Sequence, residues 1–319
     1  MQFNQIKMIN VSEQTPKSTI SKNIRKVEFK SEGLILKGNL HLPTDFLGIG
    51  KYKGLVVTGS WITVKEQMAD LYATKLAQEG FVALTFDFRN YGESEGEPRN
   101  YEVAEMKAQD IINATSYLKT LSFIDRESIG GFAVCASSGY MALAVLNGAD
   151  LKAVNFVAPW LHNEEIVKSI YGGNEGVAER IKKSDEAKIA FDRTGNVDYV
   201  PAISISNKEA AMFGNFDYYL NPKRGAIKEW GNQWAVMAWK GWLKFDPIAY
   251  ADKIKIPVQI IESKTAATPQ GAEEFYNNLK RSKNIIWVDK ATQFDFYDQE
   301  PYTSNASAEA AKWFHKQLS

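Results

Sequence analysis

Residues 129–140 read IGGFAVCASSGY, and the character of this stretch changes abruptly at Cys135. The first half is apolar, as in a strand buried in a parallel sheet, and the second half begins a helix. The residues around Cys135 are small, with Ala133 before it and Ser137 and Gly139 after it. A tight strand-to-helix turn that pushes one side chain outward crowds its own backbone, so its neighbours must be small. The stretch therefore predicts a nucleophile elbow.

Strand and helix patterns alternate along most of the chain. The predicted strands are residues 27–30, 34–42, 54–59, 81–88, 128–135, 151–159, 257–262 and 284–288, and the predicted helices are residues 65–79, 103–120, 138–146, 271–279 and 307–318. Strands that alternate with helices imply right-handed crossovers and a mainly parallel sheet covered by helices on both faces. The first two strands are close enough to form an antiparallel hairpin.

The alternation stops between residues 161 and 245, a stretch too long for a loop in a compact domain. We interpret residues 161–245 as an inserted cap, residues 27–160 and 246–319 as the α/β core, and residues 1–26 as an N-terminal arm. The cap is rich in aromatic side chains, which either form its own core or line an apolar pocket for an acyl or aromatic substrate. The predicted pocket residues are Trp61, Trp160, Trp230, Trp234 and Trp239.

These features together resemble the α/β-hydrolase superfamily, and in particular members with a cysteine at the elbow, such as dienelactone hydrolases. The resemblance covers the two predicted core segments. It is supported by TGSW at residues 58–61, where the family places its oxyanion loop, by DFRNYGES at residues 87–94, and by FDP at residues 245–247. Within these segments we expect Asp87 and Arg89 to form a structural pair, and Lys65 to lie in a solvated helical turn.

The resemblance implies an α/β-hydrolase fold with a cap, and a reaction on an ester, thioester or lactone through an acyl-Cys135 intermediate. It also implies an oxyanion hole made of the backbone amides of Ala136 and of Ser60 or Trp61. The family's spacing favours Cys135 as the nucleophile, and Ser137 is the alternative, with Cys135 then a small flanking residue. A third interpretation is that Cys135 is a small buried residue without reactivity.

The other two residues of the usual triad are absent from their expected places. Thr265 or Ala266 stands where the family has its acid, and Gln293 stands where it has its histidine. Glutamine cannot take a proton at neutral pH, but a thiol at a helix N-terminus tolerates this loss better than a hydroxyl does. His162 follows a strand that neighbours the elbow strand in the family's order. It either pairs with the thiol or is a hydrogen-bonded hinge residue where the cap begins.

Composition excludes several classes of function. The 38 basic and 38 acidic residues give a formal net charge of zero, so we expect no nucleic-acid partner. The N-terminal segment is polar, and no apolar run is long enough to span a membrane. One cysteine and three histidines predict no disulfide within the chain, no metal site and no cofactor, and suit a cytoplasmic location. The sequence leaves a homodimer open.

Two hypotheses of function therefore remain. The first is an acyl-handling enzyme, either a hydrolase or an acyltransferase of the fungal polyketide-transferase type that some capped members resemble. The second is a catalytically retired binding protein that keeps the pocket. The intact elbow favours the first hypothesis, and the replacements at Gln293 and at Thr265 or Ala266 favour the second.

Overall fold

The computed structural model describes residues 23–319. Its strands are β1 Ile24–Ser31, β2 Leu34–His41, β3 Tyr52–Thr58, β4 Val82–Phe86, β5 Ile124–Val134, β6 Ala153–Val157, β7 Tyr199–Pro201, β8 Ile203–Ser204, β9 Met212–Phe213, β10 Gln233–Ala235, β11 Val258–Glu262 and β12 Lys283–Trp287. Its α-helices are α1 Met68–Gln78, α2 Ala104–Thr120, α3 Ser137–Leu146, α4 Glu164–Ile170, α5 Gly173–Thr194, α6 Asp217–Leu220, α7 Trp239–Lys244, α8 Pro269–Asn278, α9 Asp295–Asp298 and α10 Tyr302–Gln317.

Eight strands form one sheet in the order β1-β2-β4-β3-β5-β6-β11-β12. β2 runs antiparallel to both β1 and β4, and the pairs from β4 to β12 are parallel. The central strands β4, β6 and β11 are buried along their whole length, which explains their continuous apolar runs. The mainly parallel sheet with a leading hairpin is thus confirmed.

Helices surround this sheet in two groups. In the first group, α1 contacts β4, α10 contacts β6, and the two helices contact each other. In the second group, α2 and α3 contact each other and both contact β5. The crossovers bring the carboxyl ends of β3, β5, β6, β11 and β12 to one edge of the sheet. In an open parallel sheet, this is the edge where ligands bind.

Residues 161–245 add no strand to the large sheet. They carry α4 to α7 and two small two-stranded sheets, β10 with β7 and β8 with β9. The long helix α5 is flanked by two glycines in the left-handed conformation, Gly172 before it and Gly195 after it, and it buries only Ser184 and Ala187. Because so little of α5 is buried, its sequence shows almost no apolar periodicity, and it is absent from our prediction.

The predicted N-terminal arm, residues 1–26, lies almost wholly outside the described residues. Of the four that are described, Ile24–Lys26 already pair with β2 as the start of β1. Within residues 23–319, no helix combines the length and the apolar character needed to cross a membrane.

Candidate active site

Cys135 lies at the turn between β5 and α3, and its backbone is in the left-handed region with φ of 59°. Its amide donates to the Val157 carbonyl at 3.1 Å, so the turn is fixed to the neighbouring strand β6. Gly139, one turn into α3, has no room for a side chain, because a Cβ there would lie 2.8 Å from the Phe245 ring. A non-glycine residue with this backbone is strained, as expected of a residue held at a functional turn.

The Cys135 thiol is buried, with 4% of the residue exposed, and it lines a cavity. Burial raises the pKa of the thiol above its ordinary value. Hydrogen bonding from the hydroxyls of Ser60 and Tyr297 and from the backbone amides of Ala136 and Trp61 acts in the opposite direction and favours the thiolate. The balance keeps the resting thiol protonated at neutral pH, surrounded by four hydrogen-bond donors.

The backbone amides of Ser60 and Trp61, the two options for one donor of the predicted oxyanion hole, have different hydrogen-bond partners. The backbone N–H of Ser60 donates to the Met68 sulfur at 3.3 Å and is therefore occupied. The amides of Trp61 and Ala136 instead face the thiol. The structure therefore brings two of the three predicted backbone donors, those of Trp61 and Ala136, next to the Cys135 thiol.

Three hydroxyls, which we call the hydroxyl cluster, meet beside the thiol. The Ser60 hydroxyl lies 3.0 Å from the Tyr297 hydroxyl and accepts a hydrogen bond from the Tyr219 hydroxyl at 3.1 Å. Burial raises the pKa of both tyrosines well above the ordinary value. The tyrosines therefore remain neutral at pH 7, and their hydroxyls can donate hydrogen bonds.

Gln293 occupies the loop after β12 and is held at both ends of its amide. Its oxygen accepts from the Ala267 amide at 3.1 Å, and its nitrogen donates to the Ala158 carbonyl at 2.8 Å. The same nitrogen lies 3.4 Å from the Tyr297 hydroxyl, so Gln293 is connected to Cys135 only through Tyr297. The glutamine thus bridges the ends of three strands and orients Tyr297.

No carboxylate takes the place of the usual acid in the loop after β11. The Thr265 hydroxyl donates to the Ala291 carbonyl at 2.8 Å, and the Ala266 amide bonds the Ser263 carbonyl, so both serve the loop itself. The nearest carboxyl along the chain is Glu262 at the end of β11, which is fully buried. Burial raises its pKa to about 8, which makes it a neutral carboxylic acid at pH 7.

The ring of His162 forms hydrogen bonds with groups around it and not with Cys135. One ring nitrogen accepts from the Trp160 indole at 2.8 Å, and the other lies 3.2 Å from the Trp242 carbonyl. Burial lowers the pKa of His162 to about 4, so the ring is neutral. Both nitrogens are engaged, and His162 is absent from the groups that contact the thiol and from the cavity wall. We therefore do not pair it with Cys135.

Ser137, the alternative nucleophile, is also turned away from the cavity. Its side chain is fully buried, and its hydroxyl donates to the Gly59 carbonyl. This bond ties the first turn of α3 to the end of β3. The register with Cys135 at the tip is the one that the fold adopts.

The cavity above Cys135 has a volume of about 420 Å³. Trp61 and Trp160 line it as predicted, but Trp230, Trp234 and Trp239 do not, and this part of the prediction is wrong. Trp234 is fully buried behind Trp61, and the centres of these two rings are 4.4 Å apart. Behind Trp234 lies Trp239, whose ring centre is 5.2 Å from that of Trp234. These rings are the core of the insertion. Trp242, Tyr219, Phe216 and Phe294 supply the aromatic wall instead.

The insertion is attached directly to the loop that follows β3, residues 59–67, which we call the β3 loop. The Trp230 indole donates to the Ile62 carbonyl at 2.9 Å, and the side-chain amide of Gln67 donates to the Gly225 carbonyl at 2.7 Å. Tyr219 adds a third bond through the hydroxyl cluster. The insertion therefore holds the same loop that presents an amide to Cys135.

A buried ion pair anchors the far end of the β3 loop. Contrary to our expectation, Lys65 is buried, and its ammonium contacts Asp87, Glu66 and Glu93, each at 2.7 Å. These carboxylates lie close enough together to hold a cation, but the ammonium of Lys65 already fills that position. Asp87 therefore pairs with Lys65, and the partner of Arg89 is Asp110 at 2.6 Å.

Our sequence reasoning did not identify several residues of this site. Tyr219 and Tyr297 belong to the hydroxyl cluster, and Arg180 and Lys208 line the cavity. Tyr297 follows Gln293 by four residues, which would place it on the same side of a helical turn. Nothing in the local sequence distinguishes the other three, because the fold of the insertion brings them to the cavity.

The strand order, the left-handed turn at Cys135 and the cavity above it define an α/β-hydrolase fold. No protein-family profile matches the chain. It is 26% identical to the uncharacterized protein YcjY of Escherichia coli strain K12 over 311 residues, which are 92% of this chain and 99% of that protein.

Two relatives with named activities match a shorter part of the chain. Polyketide transferase claH of Penicillium crustosum is 28% identical over 200 residues, 62% of this chain and 57% of that protein. Thiohydrolase aneE of Aspergillus aculeatus is 31% identical over 191 residues, 59% of this chain and 56% of that protein.

Solved structures share the fold over nearly the whole chain. Hypothetical protein PA2218 from Pseudomonas aeruginosa has a TM-score of 0.82 at 24% identity and covers 98% of this chain and 100% of its own. The α/β hydrolase GrgF from Penicillium sp. sh18 has a TM-score of 0.77 at 16% identity, with 92% and 99% covered.

Proposed function

We propose that this protein is an enzyme that acts on an ester, thioester or lactone through an acyl-Cys135 intermediate. The observation that carries the proposal is the surroundings of the thiol. Cys135 projects from a strained turn into an apolar cavity, and two backbone amides that serve no other bond face its sulfur. Amides fixed in this way stabilise the negative charge that develops on a carbonyl oxygen during acyl transfer. Residues 161–245 act as the cap that closes the cavity.

In the first half-reaction, the Cys135 sulfur bonds to the carbonyl carbon, and the carbonyl oxygen takes up the electron pair. The amides of Trp61 and Ala136 donate to this oxygen. When the intermediate collapses, the bond to the leaving sulfur or oxygen breaks. The thiol proton passes to the Tyr297 hydroxyl as that hydroxyl passes its own proton to the leaving atom. Tyr297 ends unchanged, so its high pKa is no obstacle.

This proton route favours a thioester among the three substrate classes. The described residues in contact with the thiol include no base, so in this route the proton ends on the leaving group itself. A departing thiolate, with a conjugate acid of pKa about 8.5, is close in basicity to the attacking cysteine, and exchange between them is nearly balanced. A departing alkoxide is a far poorer leaving group. The names of the relatives, a thiohydrolase and a polyketide transferase, agree with an acyl thioester substrate.

The second half-reaction releases the acyl group from Cys135. Water or a second thiol or alcohol bonds to the acyl carbon, the bond to Cys135 breaks, and the proton of the incoming group returns through Tyr297 to the sulfur. With water the protein is a hydrolase, and with another acceptor it is an acyltransferase. Gln293 holds Tyr297 in place in both cases.

The experiment is the intact mass of the protein after exposure to N-acetylcysteamine thioesters of acetyl, butanoyl and hexanoyl groups. We expect one acyl adduct on the wild type, loss of the adduct in Cys135→Ala, and retention in the matched control Ser137→Ala. Released free acid or acyl transfer to an added thiol then gives the fate of the intermediate. An adduct that survives Cys135→Ala, or no adduct and no product from the wild type, would contradict the proposal.

A second candidate is a binding protein that has lost catalysis. The observation that favours it is the combination of a thiol with a raised pKa and a glutamine in the place of the histidine. It predicts that apolar thioesters raise the melting temperature equally in the wild type and in Cys135→Ala, without any adduct. The mass measurement on the same samples separates the two candidates.

A further inference from the structure

Charge is distributed unevenly around the cavity. The chain as a whole has a net charge of zero, yet among residues 23–319 the side chains that line the cavity include two cations, Arg180 and Lys208, and no carboxylate. Both cations come from the insertion. In a wall that is otherwise largely apolar, charges of one sign attract a ligand group of the opposite sign more strongly than they would in open water.

Arg180 is held firmly but without a counter-ion. One guanidinium nitrogen donates to the carbonyls of Tyr171 and Gly176, both at 3.0 Å. The guanidinium also lies over the rings of Tyr171 and Trp239, 5.4 Å from each centre. Within residues 23–319 it forms no ion pair, so its remaining donors and its charge are available to a ligand.

Lys208 is exposed, and no described residue forms a hydrogen bond or ion pair with its ammonium. The segment that carries it is nevertheless anchored, because the neighbouring Glu209 pairs with Lys183 at 2.7 Å. Lys183 lies one turn after Arg180 on α5. The ion pair thus holds Lys208 against the helix that carries Arg180.

We propose that the cavity binds acyl thioesters that carry an anionic group, and that Arg180 and Lys208 form the subsite for this anion. The inference deepens the proposed function and rests on it for the identity of the reacting group. The apolar side chains of Ile170, Met212 and Phe216 line the cavity with the two cations, and they would pack against the hydrocarbon part of the ligand. The anion is either a carboxylate on the acyl chain or a phosphate on the thiol side.

Binding is best measured on Cys135→Ala, in which no chemistry consumes the ligand. Calorimetry would compare three compounds: the hexanoyl thioester of N-acetylcysteamine, the adipoyl monothioester of the same thiol, and S-hexanoyl 3-mercaptopropyl phosphate. The first is neutral, the second carries a carboxylate on the acyl side, and the third carries a phosphate on the thiol side. We expect one of the anionic compounds to bind about tenfold more tightly than the neutral one, with the advantage shrinking in 0.5 M salt.

The substitutions Lys208→Met and Arg180→Met, each added to Cys135→Ala, should remove most of this advantage, so that the anionic compound binds each variant little more tightly than the neutral compound binds the same variant. Lys182→Met is the matched control, since Lys182 is an exposed cation on the same helix and outside the cavity wall. Equal binding of all three compounds, or an advantage that survives in both variants, would overturn the inference.

Acylation of the wild type keeps the two proposals apart. If the neutral hexanoyl thioester acylates Cys135 while the anionic compounds show no advantage in binding, the proposed function stands and the anion subsite falls. If the anionic compounds bind more tightly through Lys208 and Arg180 but never acylate Cys135, the subsite stands and the acyl-enzyme proposal falls.

Discussion

Replacing Tyr297 with phenylalanine tests the surroundings of the thiol directly. The substitution removes one hydroxyl from a fully buried ring and leaves the shape of the side chain almost unchanged. The lost hydroxyl contacts three groups: the Cys135 thiol, the Ser60 hydroxyl at 3.0 Å, and the Gln293 amide at 3.4 Å. Ser60 keeps its bond from Tyr219, and Gln293 keeps its bonds to the two loops.

The size of the effect follows from the strength of a hydrogen bond to a charged group. Such a bond contributes about 1.5–3 kcal/mol, and one pKa unit corresponds to about 1.4 kcal/mol. Without Tyr297, the thiolate loses one of its donors, and its pKa should rise further. At a fixed pH below the thiol pKa, the thiolate fraction and the rate of alkylation should then fall by about 10- to 100-fold.

The assay is the rate of alkylation by iodoacetamide, followed by intact mass from pH 6 to pH 10. The wild type should already react with a midpoint above that of a free cysteine, about 8.5, because burial raises the pKa of Cys135. Tyr72→Phe is the control, since Tyr72 is a buried tyrosine whose hydroxyl donates to the Phe296 carbonyl at 2.6 Å and has no contact with the thiol. Its profile should match that of the wild type.

A Tyr297→Phe profile that superimposes on the wild type would refute the reasoning, because it would mean that the hydroxyl does not stabilise the thiolate. The proton route through Tyr297 would fall with it. A midpoint that moves downward would show that Tyr297 acts mainly by excluding water from the thiol.

Three further substitutions probe the polar groups at the strand ends. Gln293→Ala leaves the Ala158 carbonyl and the Ala267 amide without their partner, so the free energy of unfolding, measured with urea, should fall by about 1–3 kcal/mol; an unchanged value would mean that water replaces both bonds. His162 has a folded-state pKa of about 4, below its ordinary 6.5, so the unfolded chain takes up the proton first. Stability should be intact above pH 6.5 and decline by up to about 3 kcal/mol as the pH falls to 4, and His162→Gln should flatten this slope. Glu262 has a folded-state pKa of about 8, so at pH 7 it is protonated in the folded chain and ionised in the unfolded chain, which destabilises the fold. Glu262→Gln should therefore raise the free energy of unfolding by about 1–3 kcal/mol at pH 7 and change it little at pH 4. A loss of stability at pH 7 would contradict this.

The elbow could be predicted because its geometry depends on residues that are close together in the sequence. A left-handed turn between a buried strand and a helix demands small neighbours, and Gly139 meets that demand against Phe245. The position of Gln293 could also be located, since it depends only on the order of strands along the chain. Both predictions depend on the spacing of residues along the sequence, and not on which distant residues come into contact when the chain folds.

The partners of individual side chains could not be predicted in this way. His162 bonds the Trp242 carbonyl 80 residues further on, and the hydroxyl cluster joins Ser60 to Tyr297 across 237 residues. Trp239 and Trp242 lie together in α7 and Trp234 lies in β10, yet Trp242 lines the cavity while Trp234 and Trp239 pack behind Trp61. Composition alone does not distinguish aromatic residues that line a cavity from aromatic residues that form the hydrophobic core of the insertion.

The bonds between the insertion and the β3 loop have a consequence for regulation of access. Trp230 and Tyr219 contact the loop that presents an amide and a hydroxyl to Cys135. Any motion that lifts the insertion to admit a ligand must therefore pull on the groups that set the acidity of the thiol. Access to the cavity and the environment of the thiol are therefore coupled through the same hydrogen bonds between the insertion and the β3 loop.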